Sequence, residues 1–292
     1  MGISVEDFVH PLDEEARRNL EAIPGFSLAL KMFMKTGIEK FLHGINMANK
    51  IRLSPTQLPH IYNLLPPICS ALSIDEPEFY LEMNPIPNAY TTGDSQTAIT
   101  LTSGLVEYLT DEELVAVVAH ECGHIVCHHV LYHTMGQIIA NGISGFTRTI
   151  AMPIKLGLLY WMRCSELSCD RVSAIVSGNS KTIVNVMIRL AGGPRSITET
   201  VNIEEYAAQA NEYEILLKSK YHNMLQSLAV MERDHPFLAV RVNEILKWTN
   251  SYHYKQINYM RKIKKENHHC PSCNALVSTD WMFCKNCGSK IN

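Results

Sequence analysis

Five consecutive residues, His120-Glu121-Cys122-Gly123-His124, form the pattern H-E-x-x-H. Residues four positions apart lie on one face of an α-helix, so His120 and His124 can hold a single metal ion. Glu121 then lies beside the metal, where its carboxylate can take a proton from water. Zinc held in this way activates water near neutral pH and polarises a carbonyl group, so the motif predicts a zinc peptidase.

The residues before the motif predict the helix that it requires. Thr110 and Glu113, three positions apart, have the form of a capping box. Apolar residues follow at helical spacing, so the helix is expected to begin at Asp111 and to carry the motif within its body. The alternative is a helix whose two histidines are packed or exposed without a metal.

Two histidines leave a zinc ion short of a protein ligand. The third histidine of the metzincin pattern would be residue 130, which is Val130, so that class is excluded. A carboxylate from a later helix is the expected third ligand, and Glu166 supplies one. Asp170, one helical turn further, can accept the free ring N–H of a zinc-bound histidine. Alternatives for this pair are an acceptor network without metal or a solvated helix face.

Residues 130–162 contain two full charges and show a polar and an apolar stripe at helical spacing. This pattern predicts an amphipathic helix over 130–150 that packs on the core, on another subunit or on a membrane surface. It does not predict a membrane span, which needs about twenty consecutive apolar residues. Three further histidines, at 128, 129 and 133, are expected to lie too far along the helix axis to reach the same ion.

Four cysteines near the end of the chain form two C-x-x-C pairs ten residues apart, Cys270/Cys273 and Cys284/Cys287. Four thiolates at this spacing predict a tetrahedral structural zinc site in a short zinc ribbon. The expected metal content is therefore one catalytic and one structural zinc ion. A basic linker is expected at 253–265 and the ribbon at 266–292, after a first domain spanning 1–252.

Composition limits the class of protein and its partners. The 292 residues are 46% hydrophobic and carry a net charge of −3, which predicts no general affinity for nucleic acid. Residues 253–292 contain seven Lys or Arg and two acids, so this part is +5 and the rest −8. The acidic N-terminus does not resemble a signal peptide. Five other cysteines in apolar segments indicate buried thiols and a cytoplasmic location, with peripheral membrane contact as an alternative.

The coarse pattern predicts an α+β, mainly helical fold. A second capping box at Ser54–Gln57 predicts a helix that extends towards Ser73. Residues 78–83 and 97–102 are predicted as short strands of a small antiparallel sheet, with a turn-rich stretch at 84–94 between them. The remainder is expected to be helical almost to Tyr259.

The order of these motifs resembles the HtpX and CAAX-prenyl-endopeptidase-like zinc metallopeptidases. The likeness covers the stretch 87–93, Gly104-Leu105, the H-E-x-x-H motif, Glu166 with Asp170, and Asp234-His235-Pro236 followed by Arg241. It implies a zincin-like domain in which His120, His124 and Glu166 bind zinc and Glu121 activates water.

The same resemblance implies further roles. His235 would stabilise the oxyanion of the tetrahedral intermediate, and Arg241 would support the site from behind the ligands. Asn88 and Ala89 would hold the substrate backbone by β-addition. Many relatives carry transmembrane helices that this chain lacks, which leaves membrane-embedded substrates in doubt.

The expected activity is that of a zinc endopeptidase acting on extended or unfolded polypeptides. One alternative is a zinc-binding chaperone or adaptor that has lost peptidase activity. The other places the function in the ribbon. The apolar stripe of residues 130–150 is also a candidate surface for oligomerisation.

Overall fold

The computed structural model describes residues 3–35, 37–141, 152–217, 237–266, 268–273, 275–277 and 282–290. These residues are mainly helical and include a small four-stranded sheet, so the expected mainly helical α+β class is confirmed. The chain divides into two units, Met1–Lys247 and Trp248–Asn292.

The helices among the described residues follow a short 3₁₀ turn at Val5–Asp7. They are α1 (Pro11–Glu21), α2 (Phe26–Met34), α3 (Ile38–Asn49), α4 (Pro59–Tyr62), α5 (Leu65–Leu72), α6 (Ser103–Tyr108), α7 (Asp111–Val126), α8 (Val130–Asn141), α9 (Met152–Ser177), α10 (Lys181–Gly192), α11 (Arg195–Thr198), α12 (Ile203–Leu217), α13 (Leu238–Thr249) and α14 (Tyr252–Glu266). The stretch 253–265, predicted as a linker, thus lies within α14.

The described sheet has the order β1-β2-β4-β3 and is mixed, so the prediction of an antiparallel sheet is wrong. Its strands are β1 (Ile51–Arg52), β2 (Glu78–Glu82), β3 (Ala89–Thr92) and β4 (Ala98–Thr102). β2 and β4 run parallel, whereas the β1–β2 and β3–β4 pairs are antiparallel. The prediction missed β3, which lies in the stretch predicted as turns. The chain reverses direction into β3 and again into β4, so β4 runs parallel to β2. β3 ends the strand order.

The single helix predicted from Ser54 towards Ser73 is also wrong. Ser54 and Gln57 exchange two backbone hydrogen bonds of 3.0 Å, and Leu58 adopts a φ of +53° before α4 begins. α4 stops after one turn, and α5 begins at Leu65 with Pro66 in its first turn. A proline has no N–H to continue the hydrogen bonds of a preceding helix, so one uninterrupted helix is excluded.

Helix α7 begins at Asp111, as predicted, and is largely buried. The predicted capping box is confirmed: Thr110 Oγ1 accepts from the Glu113 N–H, and Glu113 Oε2 accepts from the Thr110 N–H. α7 packs against α9, α10, α5 and β3. Gly123 allows the close approach of α9, because a Cβ atom there would lie 3.0 Å from the Cys169 Cα atom.

Helix α7 ends in a Schellman turn that redirects the chain into α8. The His129 N–H donates to the His124 carbonyl (2.8 Å), and the His128 N–H donates to that of Ile125 (3.0 Å). His128 takes the left-handed position of this turn, with φ +58°. The two helices are consequently bent by 100° relative to each other.

The described part of the apolar stripe on α8 packs inside the chain. Met135, Ile138 and Ile139 are buried in a cluster with side chains of α1, α2 and α9, including Trp161. Residues 142–151, which carry the rest of the predicted stripe, lie outside the described residues. No single described helix is both long enough and apolar enough to cross a membrane. Helices α7 and α8, taken together as a bent pair, meet these two criteria of length and composition.

Candidate metal site and active site

Helix α7 presents three buried polar side chains to the interior of the first unit. His120, Glu121 and His124 expose only 4%, 1% and 3% of their surface. The two imidazole rings lie on one face of the helix, as their spacing predicts, with ring centroids 5.2 Å apart. Polar groups this deeply buried require partners, and α9 supplies the first of them.

Glu166 of α9 lies between the two imidazole rings. Its Oε2 atom is 3.3 Å from His120 Nε2, and its Oε1 atom is 3.3 Å from His124 Nε2. Zinc–ligand bonds of about 2.0–2.1 Å in a tetrahedron place neighbouring ligand atoms roughly 3.3 Å apart. The donor set of two imidazoles and one carboxylate fits zinc in chemistry, and each imidazole nitrogen lies at this spacing from one oxygen of the carboxylate.

Two other groups of donors overlap with this set. His124, His133 and Glu166 offer ligand atoms within 4.8 Å of one another, and so do His120, His124 and Cys169. His124 belongs to both of these groups and to the pair of contacts made by Glu166, so the described donors converge on this ring.

Asp170 and Arg241 lie behind the ligands. Asp170 Oδ1 is 3.1 Å from His120 Nδ1, the ring nitrogen opposite the one that faces Glu166. Arg241 of α13 donates to both carboxylate oxygens of Asp170, at 2.8 and 2.6 Å, and its third nitrogen is 2.9 Å from Glu166 Oε2. Burial acts to raise the pKa of Asp170, but the charge and hydrogen bonds of Arg241, together with His120, outweigh burial and hold the pKa below its usual value.

The pKa values of the two histidines are shifted in opposite directions. Burial lowers the pKa of His124, which favours the neutral ring that a metal requires. Burial also acts to lower the pKa of His120, but hydrogen bonds and charge from Asp170 and Glu166 outweigh it and raise the pKa. The two carboxylates thus favour the protonated form of His120.

Glu121 has a partner that the sequence analysis did not identify. Thr91 of β3 donates its hydroxyl proton to Glu121 Oε2 at 2.6 Å. Thr91 is buried and lies in β3, two positions after Ala89. The sequence analysis predicts turns rather than a strand in this stretch, so it gives no indication that Thr91 faces the motif.

A small pocket of about 40 Å³ opens beside His120 and Glu121. Asn88 and Ala89, predicted as substrate contacts, line one side of it. Most of the remaining lining is apolar and comes from α6, α7, α10 and α13: Leu105, Val117, Ile183, Val186, Met187, Leu190 and Leu238. The pocket thus lies between the start of β3, the motif and the apolar side chains of α10.

Comparison with known proteins gives the family. The sequence profile of Peptidase family M48 matches residues 66–249, more than half of the chain. The chain belongs to this family. It is consequently a metallopeptidase, and metallopeptidases of the family use zinc. The predicted relation to HtpX-like zinc metallopeptidases is confirmed.

The relatives include plant and bacterial proteins. Plastoglobule-localized metallopeptidase 48, chloroplastic, from Arabidopsis thaliana is 32% identical over 260 residues, which cover 87% of this chain and 76% of the relative. Protease HtpX from Legionella pneumophila (strain Corby) is 25% identical over 214 residues, covering 62% and 74%. A Protease HtpX homolog from Trichormus variabilis is 24% identical over 279 residues, covering 78% and 93%. No solved structure gives a significant match.

The expectation that His128, His129 and His133 lie far from the motif is wrong for two of them in this peptidase. It assumed that α7 continues straight, whereas the turn at His128 folds α8 back. The His124 ring centroid is 4.4 Å from that of His133 and 5.4 Å from that of His129, and both of these rings are buried. Proximity of the remaining predicted residue, His235, is untested because it lies outside the described residues.

In the second unit the four predicted cysteines form one cluster. Cys270 Sγ is 3.5 Å from Cys287 Sγ, and Cys273 Sγ is 3.6 Å from Cys284 Sγ. The ligand atoms of all four lie within 4.8 Å of one another, which suits a tetrahedral ion with thiolate ligands. A two-stranded antiparallel pair, β5 (His268–His269) and β6 (Leu276–Val277), belongs to the same unit.

Proposed function

We propose that this peptidase hydrolyses internal peptide bonds of extended or unfolded polypeptides, with Glu121 as the general base. The carrying observation is the position of Glu166, whose two oxygens each lie 3.3 Å from the Nε2 atom of a motif histidine. His120, His124 and Glu166 would hold the catalytic zinc, while Asp170 and Arg241 orient and neutralise this ligand set.

When bound, zinc supplies a Lewis acid that polarises the peptide carbonyl and lowers the pKa of water. The chain itself supplies the proton transfers. Glu121 takes the proton of the attacking water and passes it to the leaving amine, since its carboxylate lies next to the ligand His120 in the chain. Thr91 holds one oxygen of that carboxylate by its 2.6 Å hydrogen bond. His235 is the proposed donor to the developing oxyanion.

The preference for an extended substrate is supported by β3 and the pocket. β3 lies last in the described strand order, and Asn88 and Ala89 at its start line the pocket beside Glu121. A substrate strand laid along β3 would pass the metal ligands and insert one side chain into the apolar pocket. We therefore expect an apolar side chain next to the cleaved bond.

The test compares the wild-type chain with Glu121→Gln, which keeps the size of the side chain and removes the base. Glu121→Gln should retain zinc and lose turnover of unfolded proteins and fluorogenic peptides by roughly a thousandfold or more. Glu112→Gln, on an exposed position of α7, is the matched control and should leave turnover unchanged. Equal turnover in Glu121→Gln and wild type would exclude Glu121 as the base.

We further propose a second, structural zinc ion in the ribbon. The proximity of Cys270, Cys273, Cys284 and Cys287 supports this proposal, as does the small size of the unit, which offers little core of its own. We retain the proposed division into a peptidase domain at 1–252, a basic segment at 253–265 and the ribbon at 266–292. Metal analysis of the purified chain should give two zinc ions, and Cys270→Ser should remove one.

Peripheral contact with an anionic lipid surface is proposed for helices α2 and α3. The plant relative is named as plastoglobule-localized. Large apolar side chains are exposed on both helices and are interspersed with lysines; they include Leu28, Met32, Phe41, Met47, Lys31, Lys35 and Lys40. Such a mixture suits the boundary of an anionic membrane. Flotation with phosphatidylcholine vesicles, with and without phosphatidylglycerol, tests this proposal against a Leu28→Gln/Phe41→Gln variant.

A cytoplasmic location is proposed on the state of the cysteines. The five cysteines outside the ribbon are free and buried, which suits a reducing compartment. Fractionation of cells that express the full chain would test this proposal.

A further inference from the structure

Helix α1 supplies a buried carboxylate that reaches the metal ligand His124 through a second histidine. Asp13 Oδ2 lies 3.0 Å from His129 Nε2, and His129 Nδ1 lies 3.3 Å from His124 Nδ1. All three side chains are buried, with exposures of 2% for Asp13, 2% for His129 and 3% for His124. Asp13 precedes the region 66–249 that matches the family profile.

The proton positions along this chain of contacts follow from the zinc site. His124 uses Nε2 towards Glu166, so that nitrogen must be bare to bind a metal and the ring proton must sit on Nδ1. His129 Nδ1 then accepts this proton, which places the His129 ring proton on Nε2, facing Asp13. The thiol of Cys169, 3.7 Å from His129 Nδ1, can donate to the same nitrogen. The ring proton of each histidine thus points along the series from His124 to His129 to Asp13.

Asp13 is held as an acceptor from two further sides. Trp161 Nε1 donates to Oδ1 at 3.0 Å, and Ser168 Oγ donates to Oδ2 at 2.6 Å. Burial acts to raise the pKa of Asp13, but the hydrogen bond and charge of His129, together with these donors, outweigh burial and lower it. The group facing His129 is therefore a carboxylate.

The turn at the end of α7 fixes the position of His129. The His129 backbone N–H donates to the carbonyl of His124, so backbone and ring of His129 both contact the same ligand residue. The ring of His129 packs edge-on against Trp161, with centroids 5.3 Å apart. This packing limits rotation of the ring away from His124.

We infer that Asp13 and His129 are positioning residues for zinc, which set the tautomer and orientation of the ligand His124. The inference rests on the proposed zinc site and adds to it. It gives His124 the kind of support that Asp170, at 3.1 Å, gives to His120. Hydrogen-bond partners of this kind contribute roughly 10- to 100-fold to metal affinity in other proteins.

The experiment measures zinc affinity of the full chain by chelator competition, independently of peptidase activity. In Asp13→Asn the amide can donate to His129 Nε2, which reverses the tautomers of both histidines and leaves the fold in place. His129→Phe keeps a ring against Trp161 and removes both nitrogens. Tyr80→Phe is the matched control, since it removes a hydrogen bond from a buried side chain of β2 to Glu78, outside this cluster. Zinc release from the ribbon of the same chain is the internal reference.

The expected result is a 10- to 100-fold weaker zinc affinity of the peptidase site in Asp13→Asn and His129→Phe. The double variant should bind no more weakly than the weaker single variant, because the two residues act in series. Tyr80→Phe and the ribbon should stay within about threefold of wild type. Wild-type affinity in Asp13→Asn, or a loss equal to that of Tyr80→Phe, would overturn the inference.

A measurement on the unaltered chain covers the case in which the variants fail to fold. Nitrogen-15 spectra of the zinc-loaded protein report which ring nitrogen of each histidine is protonated. The inference requires a proton on Nδ1 of His124 and on Nε2 of His129. The opposite tautomer at His129 contradicts it, whether or not the chain cleaves peptides.

Discussion

The hydroxyl of Thr91 lies 2.6 Å from Oε2 of Glu121, so strand β3 and helix α7 meet at the proposed general base. The same hydroxyl is 3.5 Å from the Glu121 carbonyl oxygen, and Thr91 is buried. A single donor thus restricts both the rotamer of the carboxylate and the distance between β3 and α7.

Replacing Thr91 by valine preserves the branched shape of the side chain and removes the donor. Hydrogen bonds to charged groups contribute about 1.5–3 kcal/mol, so kcat should fall by roughly 10- to 100-fold while KM changes little. Thr91→Ser restores the hydroxyl and should recover most of the loss. Steady-state kinetics on one peptide substrate decide the matter; a wild-type kcat in Thr91→Val would mean that the contact has no effect on catalysis.

Arg241 is expected to be essential for the stability of the metal-free protein. Arg241→Met leaves the buried carboxylates of Asp170 and Glu166 without their cation, and breaking such a buried pair costs about 3–5 kcal/mol. Arg195→Met, which breaks the exposed pair with Glu199, should cost less than about 1 kcal/mol. Urea denaturation of both variants measures the free energy of unfolding. An equal loss of stability in the two variants would show that the buried ion pairs of Arg241 contribute no more than the exposed pair.

The apolar pocket should set the preferred side chain beside the cleaved bond. Met187→Ala enlarges the pocket, so cleavage should shift towards bulkier apolar side chains by about tenfold or more. Ile188→Ala removes a comparable buried side chain that does not line this pocket and serves as the control. Cleavage profiles of a peptide library provide the measurement. Identical profiles for Met187→Ala and wild type would remove the pocket from substrate selection.

Acid should weaken the contact between α1 and α13. The His10 ring, with Nε2 3.6 Å from Glu244 Oε2, lowers the pKa of Glu244. Burial opposes this effect and Lys247 adds to it, giving a pKa of about 2 against 4.5 for an ordinary glutamate. A lowered folded-state pKa stabilises the fold above about pH 4.5, and this contribution is lost as the pH falls towards 2.

Glu244→Gln should therefore destabilise the protein at about pH 6 and have little effect near pH 2. Denaturation at both pH values, with Lys255→Gln as an exposed control in α14, gives the comparison. An equal stability difference at the two pH values would contradict the assigned cause.

Features of the fold that depend on neighbouring residues were predictable from the sequence. The start of α7 is determined by Thr110 and Glu113, three positions apart, and both hydrogen bonds of the capping box form. Strands β2 and β4 agree with their predicted bounds within one residue because each is a short apolar run between turn residues. The helix predicted from the second capping box, from Ser54 towards Ser73, does not form because proline residues downstream interrupt it.

Features that depend on distant packing were not predictable. α7 ends at a Schellman turn in which His128 takes a position usually filled by glycine, so the sequence carries no stop signal there. Without this turn, the contact between His129 and His124 could not be predicted. Asp13 lies more than a hundred positions from His129, and it reaches the site because α1 packs against α9.

The two variable positions inside H-E-x-x-H are subject to unequal constraints. At position 123 a Cβ atom would lie 3.0 Å from the main chain of α9, whereas Cys122 already occupies a buried space of its own. Engineering of metal preference in this chain should accordingly randomise residue 122 and hold 123 as glycine. Substitution at 123 would push the helix that carries the histidines a few tenths of an ångström from the helix that carries Glu166, and so would alter the proposed zinc site without changing any of its ligands.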